Sequence, residues 1–163
     1  MNITELLLKE LDSETQITRK FLEIIPEDKY DWQPHPKSMT VRRLAAHIAD
    51  LPNWIAMALT TSELDFAAND WKEEVINDNG ALLEAFTRAV ANGKTHLAQA
   101  TEEQYNQIWT LRNGEHIIDQ STKYEVIRMS FGQMIHHRAQ LGVFLRLLDI
   151  PIPGTYGPSA DEM

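Results

Sequence analysis

The chain contains 163 residues, a length at which one domain can bury a core without disulfides, so we expect a single domain over residues 1–163. A formal net charge of −9 argues against a nucleic-acid binder, which needs a basic face, and it disfavours binding to anionic membranes. The absence of cysteine excludes disulfides, thiolate metal sites and a nucleophilic thiol of the chain's own.

A first amphipathic helix is predicted between Ile3 and Ile25, because apolar side chains recur there at mostly three- and four-residue spacing. Asn2 and Glu5 form a capping pattern at its start. The stretch that follows, EDKYDWQPHPKSM, has two prolines within three residues and no hydrophobic period. It is predicted to be a loop.

A second helix is predicted to start at Thr40 and to contain Pro52. Proline lacks the amide donor for the carbonyl four residues earlier, here Ile48, so a kink is expected close to His47. The pattern breaks after this helix, and a third helix is predicted from residue 78 or 79 to about residue 100.

A small hairpin is predicted over residues 108–118, because an Asn-Gly pair lies between two short apolar runs. Thr122 and Glu125 then form a capping box for a fourth helix, which ends before Pro151. These elements predict an all-α protein, a four-helix bundle with a small hairpin or irregular insert before the last helix.

The second and fourth helices carry polar side chains on their apolar sides. His47 lies among apolar residues of the second helix, while Gln133 and His137 are four residues apart on the fourth. His136 is rotated by about 100° from His137, so the two neighbours cannot easily share one metal. We therefore expect His47, Gln133 and His137 to converge between the two helices.

Two interpretations of this trio are open. Imidazole suits zinc, nickel, copper and iron, and catalytic zinc sites typically have three protein ligands and one open position. The amide of Gln133 is a weak donor, so such a site should bind metal less tightly than three histidines would. The alternative is a buried polar trio linked by hydrogen bonds, because glutamine is a natural hydrogen-bonding partner.

Other signals for function and location are few. The sequence has no Gly-rich phosphate loop, Ser-x-Gly elbow or His-Glu-x-x-His helix. Its tryptophans are candidates for lining a pocket, although large aromatics at helix ends more commonly belong to the core; they are Trp32, Trp54, Trp71 and Trp109. Because the start has no signal-peptide pattern and no apolar run reaches membrane-spanning length, we expect a cytoplasmic protein.

Two stretches of the sequence resemble the DinB-like (damage-inducible) superfamily of four-helix bundles, which includes the YfiT-type metal proteins. They are SMTVRRLAAHIADLPNW at 38–54 and IHHRAQLGVFLRLLDIPIPGTYGPSADE at 135–162. The resemblance implies a divalent-metal site built from one histidine on the second helix and two histidines, four apart, on the fourth. His47 and His137 match these positions, whereas Gln133 stands where the third histidine is expected.

The loop histidines His35 and His116 are the alternative sources of a third imidazole. By resemblance, the cofactor would be zinc, nickel or iron. With Gln133 as a ligand or as an orienting group, the catalytic candidates are Gln133, His136 and Arg138.

The resemblance also implies a function, because related members are thiol-dependent transferases and isomerases. We therefore expect a metal-dependent transferase or hydrolase that acts on small electrophiles, using a low-molecular-weight thiol from outside the chain. The alternative is a non-catalytic, stress-related binding or interaction bundle with a degenerate metal site, which the presence of Gln133 favours. A homodimer is expected, partly by resemblance and partly from the abundance of apolar residues on four helices.

Overall fold

A computed structural model describes residues 2–68 and 74–163, and within them the chain is mostly helical. Trp71 lies outside the described residues. The helices are α1 (Ile3–Glu23), α2 (Val41–Asp50), α3 (Asn53–Thr60), α4 (Asn79–Ala98), α5 (Glu102–Tyr105) and α6 (Lys123–Leu147). The strands are β1 (Glu63–Asp65), β2 (Ile108–Asn113) and β3 (His116–Thr122).

The predicted capping patterns fix the starts of the first and last long helices. At α1 the Asn2 side chain accepts a hydrogen bond from the Glu5 amide at 2.8 Å, and the Glu5 carboxylate accepts one from the Asn2 amide at 3.1 Å. Thr122 and Glu125 make the equivalent reciprocal pair at the start of α6. Each box satisfies two amides that the first turn of a helix leaves unpaired.

The expected kink near His47 is replaced by a break at Pro52. The helix continues to Asp50 and α3 begins at Asn53, so the second predicted helix is two helices. The amide of Leu51 still donates to the His47 carbonyl at 3.2 Å. Proline then removes the next donor of the ladder, which confines the disruption to Pro52 and leaves His47 on regular helix.

Two neighbouring helices hold this break in place. The Ser130 hydroxyl on α6 donates to the Leu51 carbonyl at 2.8 Å, which satisfies a buried acceptor at the end of α2. Gly93 on α4 approaches from the other direction, where an added Cβ would lie 2.7 Å from the Pro52 carbonyl oxygen. Only glycine allows the two backbones to come this close.

The predicted hairpin is present, and it belongs to a three-stranded sheet. Strands β2 and β3 pair antiparallel, and Gly114 in the turn between them has a φ of 62°, which glycine adopts without strain. Strand β1 adds to the other edge of β2 in parallel orientation. The protein is therefore mostly helical rather than all-α. Strand β1 was not predicted, because three residues are too few to show a hydrophobic period.

The core lies between four helical segments. Helices α4 and α6 each contact α1 and also contact α2 and α3, so the α2 and α3 pair acts as one bent member of a bundle. Among the fully buried side chains are Leu11, Leu44, Phe86, Phe131 and Leu141. Within the described residues, no helix combines the length and the apolar character that crossing a bilayer requires.

The described tryptophans divide between core and cavity. Trp109 is buried, and its indole N–H donates to the Thr61 hydroxyl at 2.9 Å. The Trp32 ring packs edge-on against Phe144 of α6, with ring centroids 5.7 Å apart. Trp54 is half-buried and lines the cavity described below.

Candidate metal site

Two imidazole rings meet between α2 and α6. The ring centroids of His47 and His137 are 4.7 Å apart and the ring planes are inclined by 80°. Both side chains are half-buried. Helix α2 and helix α6 are in contact, which brings together two histidines that are distant in the sequence.

These rings border a cavity of about 280 Å³. One part of its lining is polar and consists of the two histidines, Gln133 and Ser130; the rest is apolar. Among the described residues, the lining consists of His47, Leu51, Trp54, Met129, Ser130, Gln133 and His137. All three residues of the predicted trio therefore line one cavity, of a size that suits a small ligand.

The available donors are two imidazoles and one amide. Within residues 2–68 and 74–163 there is no cluster of three His, Cys, Asp or Glu side chains that could hold a metal ion. His35, in the loop after α1, and His116, the first residue of β3, are exposed and do not line the cavity, so neither provides the third imidazole. The oxygen of Gln133 is the remaining candidate donor, which suits a divalent metal held less firmly than by three histidines.

Gln140 contacts the outer side of His137. Its Oε1 lies 2.7 Å from the Nδ1 atom of His137, while Gln140 itself is exposed and does not line the cavity. The three-residue spacing on one helix is the signal that could have identified this pair, because side chains at that spacing are neighbours. No role for Gln140 was predicted from the sequence.

His136 lies at the edge of this arrangement. Its ring centroid is 4.9 Å from that of His137, but its side chain is exposed and does not line the cavity. This agrees with the rotation of about 100° between neighbouring residues of a helix.

Arg138 points toward α1 instead of the cavity. Its guanidinium donates to the Glu14 carboxylate at 2.8 Å, to the Glu14 carbonyl at 3.2 Å and to the Thr18 hydroxyl at 3.1 Å. Arg138 and Glu14 are both buried, and such a charge pair is tolerated inside a protein only when its hydrogen bonds are satisfied. The side chain therefore ties α6 to α1, directly behind His137.

The C-terminal segment joins the same network through Tyr156. Its hydroxyl accepts a hydrogen bond from Arg138 and donates to the Glu14 carboxylate, each at 2.9 Å, while its ring remains exposed. Loss of water around the hydroxyl, followed by the nearby carboxylate, raises the pKa of Tyr156. No signal near Tyr156 in the sequence identifies Glu14 as its partner.

Two acidic residues hold the rest of the tail. Asp161 pairs with Arg146 and accepts a hydrogen bond from the Ile152 amide at 2.9 Å. These contacts, led by Arg146, lower the pKa of Asp161 to about 2. The Glu162 carboxylate accepts from the amides of Gly154 and Ser159, so the segment folds back on itself and against α6.

Solved structures share this fold at low sequence identity. A DinB-like protein from Bacillus subtilis has a TM-score of 0.72 and 21% identity, with 92% of this chain and 97% of that chain covered. YfiT from Bacillus subtilis, described as a probable metal-dependent hydrolase with an unusual four-helix bundle topology, has a TM-score of 0.70 and 14% identity over 91% of this chain and 89% of that chain. A mycothiol-dependent maleylpyruvate isomerase has a TM-score of 0.62 and 17% identity over 86% of this chain and 61% of that chain.

No curated protein sequence matches the chain significantly. The sequence model of the DinB family, by contrast, matches residues 1–163, the full length of the chain. The resemblance carried by the second and last helices thus extends over every element described above. The chain belongs to the DinB family.

Proposed function

We propose that this chain is a metal-dependent enzyme that holds a divalent metal through His47, Gln133 and His137. The observation that carries the proposal is the meeting of two imidazole rings from different helices, 4.7 Å between centroids, at one cavity. Two nearly perpendicular rings at this separation can direct a nitrogen each toward one point, as metal sites between facing helices of a bundle require.

The chemistry of the site follows from what the chain has and lacks. A divalent ion, which we take to be zinc, nickel or iron, supplies Lewis acidity that favours a thiolate or hydroxide at neutral pH. The chain has no cysteine, so a reacting thiol must come from a small molecule. The cavity of about 280 Å³ limits the electrophile to a small molecule.

The remaining cavity residues have supporting roles. Leu51, Trp54 and Met129 form the apolar side of the cavity, and an apolar surrounding strengthens electrostatic interactions. Gln133 either holds the metal or orients the group that reacts. We assign His136, exposed beside His137, a role in contacting substrate at the edge of the site.

We propose a thiol transfer or a hydrolysis as the reaction, carried out in the cytoplasm. Two structural relatives support this choice of class: one is described as a probable metal-dependent hydrolase and the other as a mycothiol-dependent isomerase. Arg138 acts at a distance in this proposal, by fixing the part of α6 that presents His137.

Metal content tests the proposal first. Protein purified without an affinity tag should contain close to one divalent ion per chain, and His47→Ala and His137→Ala should each remove it. His116→Ala is the matched control, because this exposed histidine on β3 lies outside the cavity and should leave the metal content unchanged. Turnover should then be assayed on the metal-loaded protein with several small thiols and electrophiles. The absence of turnover in every assay would count against an enzyme.

The second candidate is a non-catalytic, stress-related binding bundle whose metal site is degenerate. Gln133 favours it, since the described residues provide two imidazoles rather than three around the cavity. Under this alternative the trio is a hydrogen-bonded polar cluster. This alternative is established if untagged protein contains no metal and if neither His47→Ala nor His137→Ala changes its metal content.

A further inference from the structure

We infer that Gln140 is a positioning residue that holds His137 in the tautomer with its proton on Nδ1. The lone pair of Nε2 is then the one available to the cavity. The inference rests on the proposed metal site for its purpose, but the tautomer can be measured without any metal.

The hydrogen bond from His137 to Gln140 favours one position of the ring proton. A neutral imidazole has one N–H and one lone pair, and the atom of Gln140 that faces Nδ1 at 2.7 Å is its carbonyl oxygen Oε1. An amide oxygen can only accept, so this contact pairs Oε1 with the tautomer that carries its proton on Nδ1. Nε2 is left as the free acceptor, which is the form of histidine that binds a metal.

The position of Gln140 on α6 suits this role. His137 has a glutamine on each side along the helix: Gln133 lines the cavity, and Gln140 lies outside it on the exposed surface. The two amides therefore contact different parts of the site. Gln133 lines the ligand space, while Gln140 contacts Nδ1 of the ring from outside the cavity.

Nuclear magnetic resonance of the metal-free protein tests the tautomer directly. Long-range proton–nitrogen correlations of the His137 ring, recorded at a pH where imidazole is neutral, should show a protonated Nδ1 and an unprotonated Nε2. Gln140→Ala should mix the two tautomers, while Gln140→Glu should restore the single form, because a carboxylate is also a pure acceptor. A proton found on Nε2 in the unsubstituted protein would overturn the inference.

Metal affinity provides the second measurement. Removing a partner of this kind typically costs about 10-fold to 100-fold in metal affinity, so Gln140→Ala should weaken zinc binding by that factor, and Gln140→Glu should recover or exceed the original affinity. Gln16→Ala is the matched control, an exposed glutamine inside α1 whose loss should change neither the tautomer nor the affinity. An unchanged zinc affinity in Gln140→Ala, with the variant folded, would overturn the positioning role.

The failure of the inference and that of the proposed metal site are distinguishable. The unsubstituted protein could bind no zinc while its His137 tautomer depends on Gln140 as described. The proposed metal site would then be wrong, and the inference that Gln140 sets the tautomer would be confirmed. If zinc binds through His47 and His137 but the tautomer and affinity are indifferent to Gln140, the metal site stands and the inference is wrong.

Discussion

Arg138 and Glu14 form an ion pair inside the bundle, with a distance of 2.8 Å between Nη1 and Oε2 and only 2% and 6% of the two residues exposed. The pair connects the helix that carries His137 to α1. Removing one partner of a buried pair leaves a charge without compensation, which is far more costly than the pair itself is favourable.

We therefore expect Arg138→Ala to lower the free energy of unfolding by about 3–5 kcal/mol. Chemical denaturation monitored by circular dichroism measures this loss. Arg128→Ala is the matched control on the same helix, because Arg128 also pairs with a glutamate of α1, Glu10, but their side chains are 39% and 34% exposed. Arg128→Ala should lower the free energy of unfolding by about 1 kcal/mol or less. Equal decreases for Arg128→Ala and Arg138→Ala would contradict the larger cost of breaking a buried pair.

The metal site predicts an order of effects along α6. His137→Ala should abolish stoichiometric metal, and Gln133→His should tighten binding by roughly tenfold or more, because imidazole replaces a weak amide donor. His136→Ala should have little effect, since its side chain does not line the cavity. Titration calorimetry with zinc measures all three variants, and a loss of binding in His136→Ala with no gain in Gln133→His would reverse the assignment.

The tail should detach at low pH through protonation of Asp161. The pKa of this carboxyl is lowered from 3.8 to about 2, chiefly by Arg146 and then by the Ile152 amide. A lowered pKa means that the stabilisation is complete above the ordinary value and is lost as the pH falls through the lowered one. The Ile152 amide resonance should therefore move between about pH 4 and about pH 2 in a titration followed by nuclear magnetic resonance.

Substitutions separate this step from other acidic groups of the tail. Asp161→Asn should remove the transition at Ile152, whereas Glu162→Gln should retain it, because Glu162 binds the Gly154 and Ser159 amides instead. A transition that persists in Asp161→Asn would assign the detachment to another group.

We predict a homodimer that uses the open groove between the start of α1 and α6. Ile3, Leu6 and Tyr124 line this groove and are 36%, 51% and 39% exposed. A two-fold interface should bury about 1,200 Å² or more in total, and Leu6→Glu should disrupt it. Light scattering at micromolar concentration should give twice the chain mass for the unsubstituted protein and the control Val75→Glu; a monomer mass for the unsubstituted protein refutes the dimer.

The sequence predicted the features that depend on local chemistry. Capping residues located the starts of α1 and α6, and an Asn-Gly pair located the turn of the hairpin. Pro52 was correctly identified as a disruption, but the break lies at the proline rather than near His47, because the ladder before it remains intact. The convergence of His47, Gln133 and His137 on one cavity followed from helical spacing together with the family resemblance.

Features that join distant segments were not predictable from local patterns. Glu14 is a polar residue within the periodic sequence of α1, and nothing near it indicates that it meets Arg138 and Tyr156 inside the protein. Strand β1 is too short for a hydrophobic period and exists because β2 provides an edge for it. Gln140 resembles any exposed helical glutamine until its distance to His137 is known.

The close approach of Gly93 to the Pro52 carbonyl leaves no room for a side chain at position 93. The cavity lies against the junction of α2 and α3. Gly93 contacts this junction from α4, and Ser130 contacts it from α6. Met129 and Gln133 also line the cavity but make neither of these two contacts. A larger side chain at position 93 would therefore push α4 away from the junction that supports the cavity.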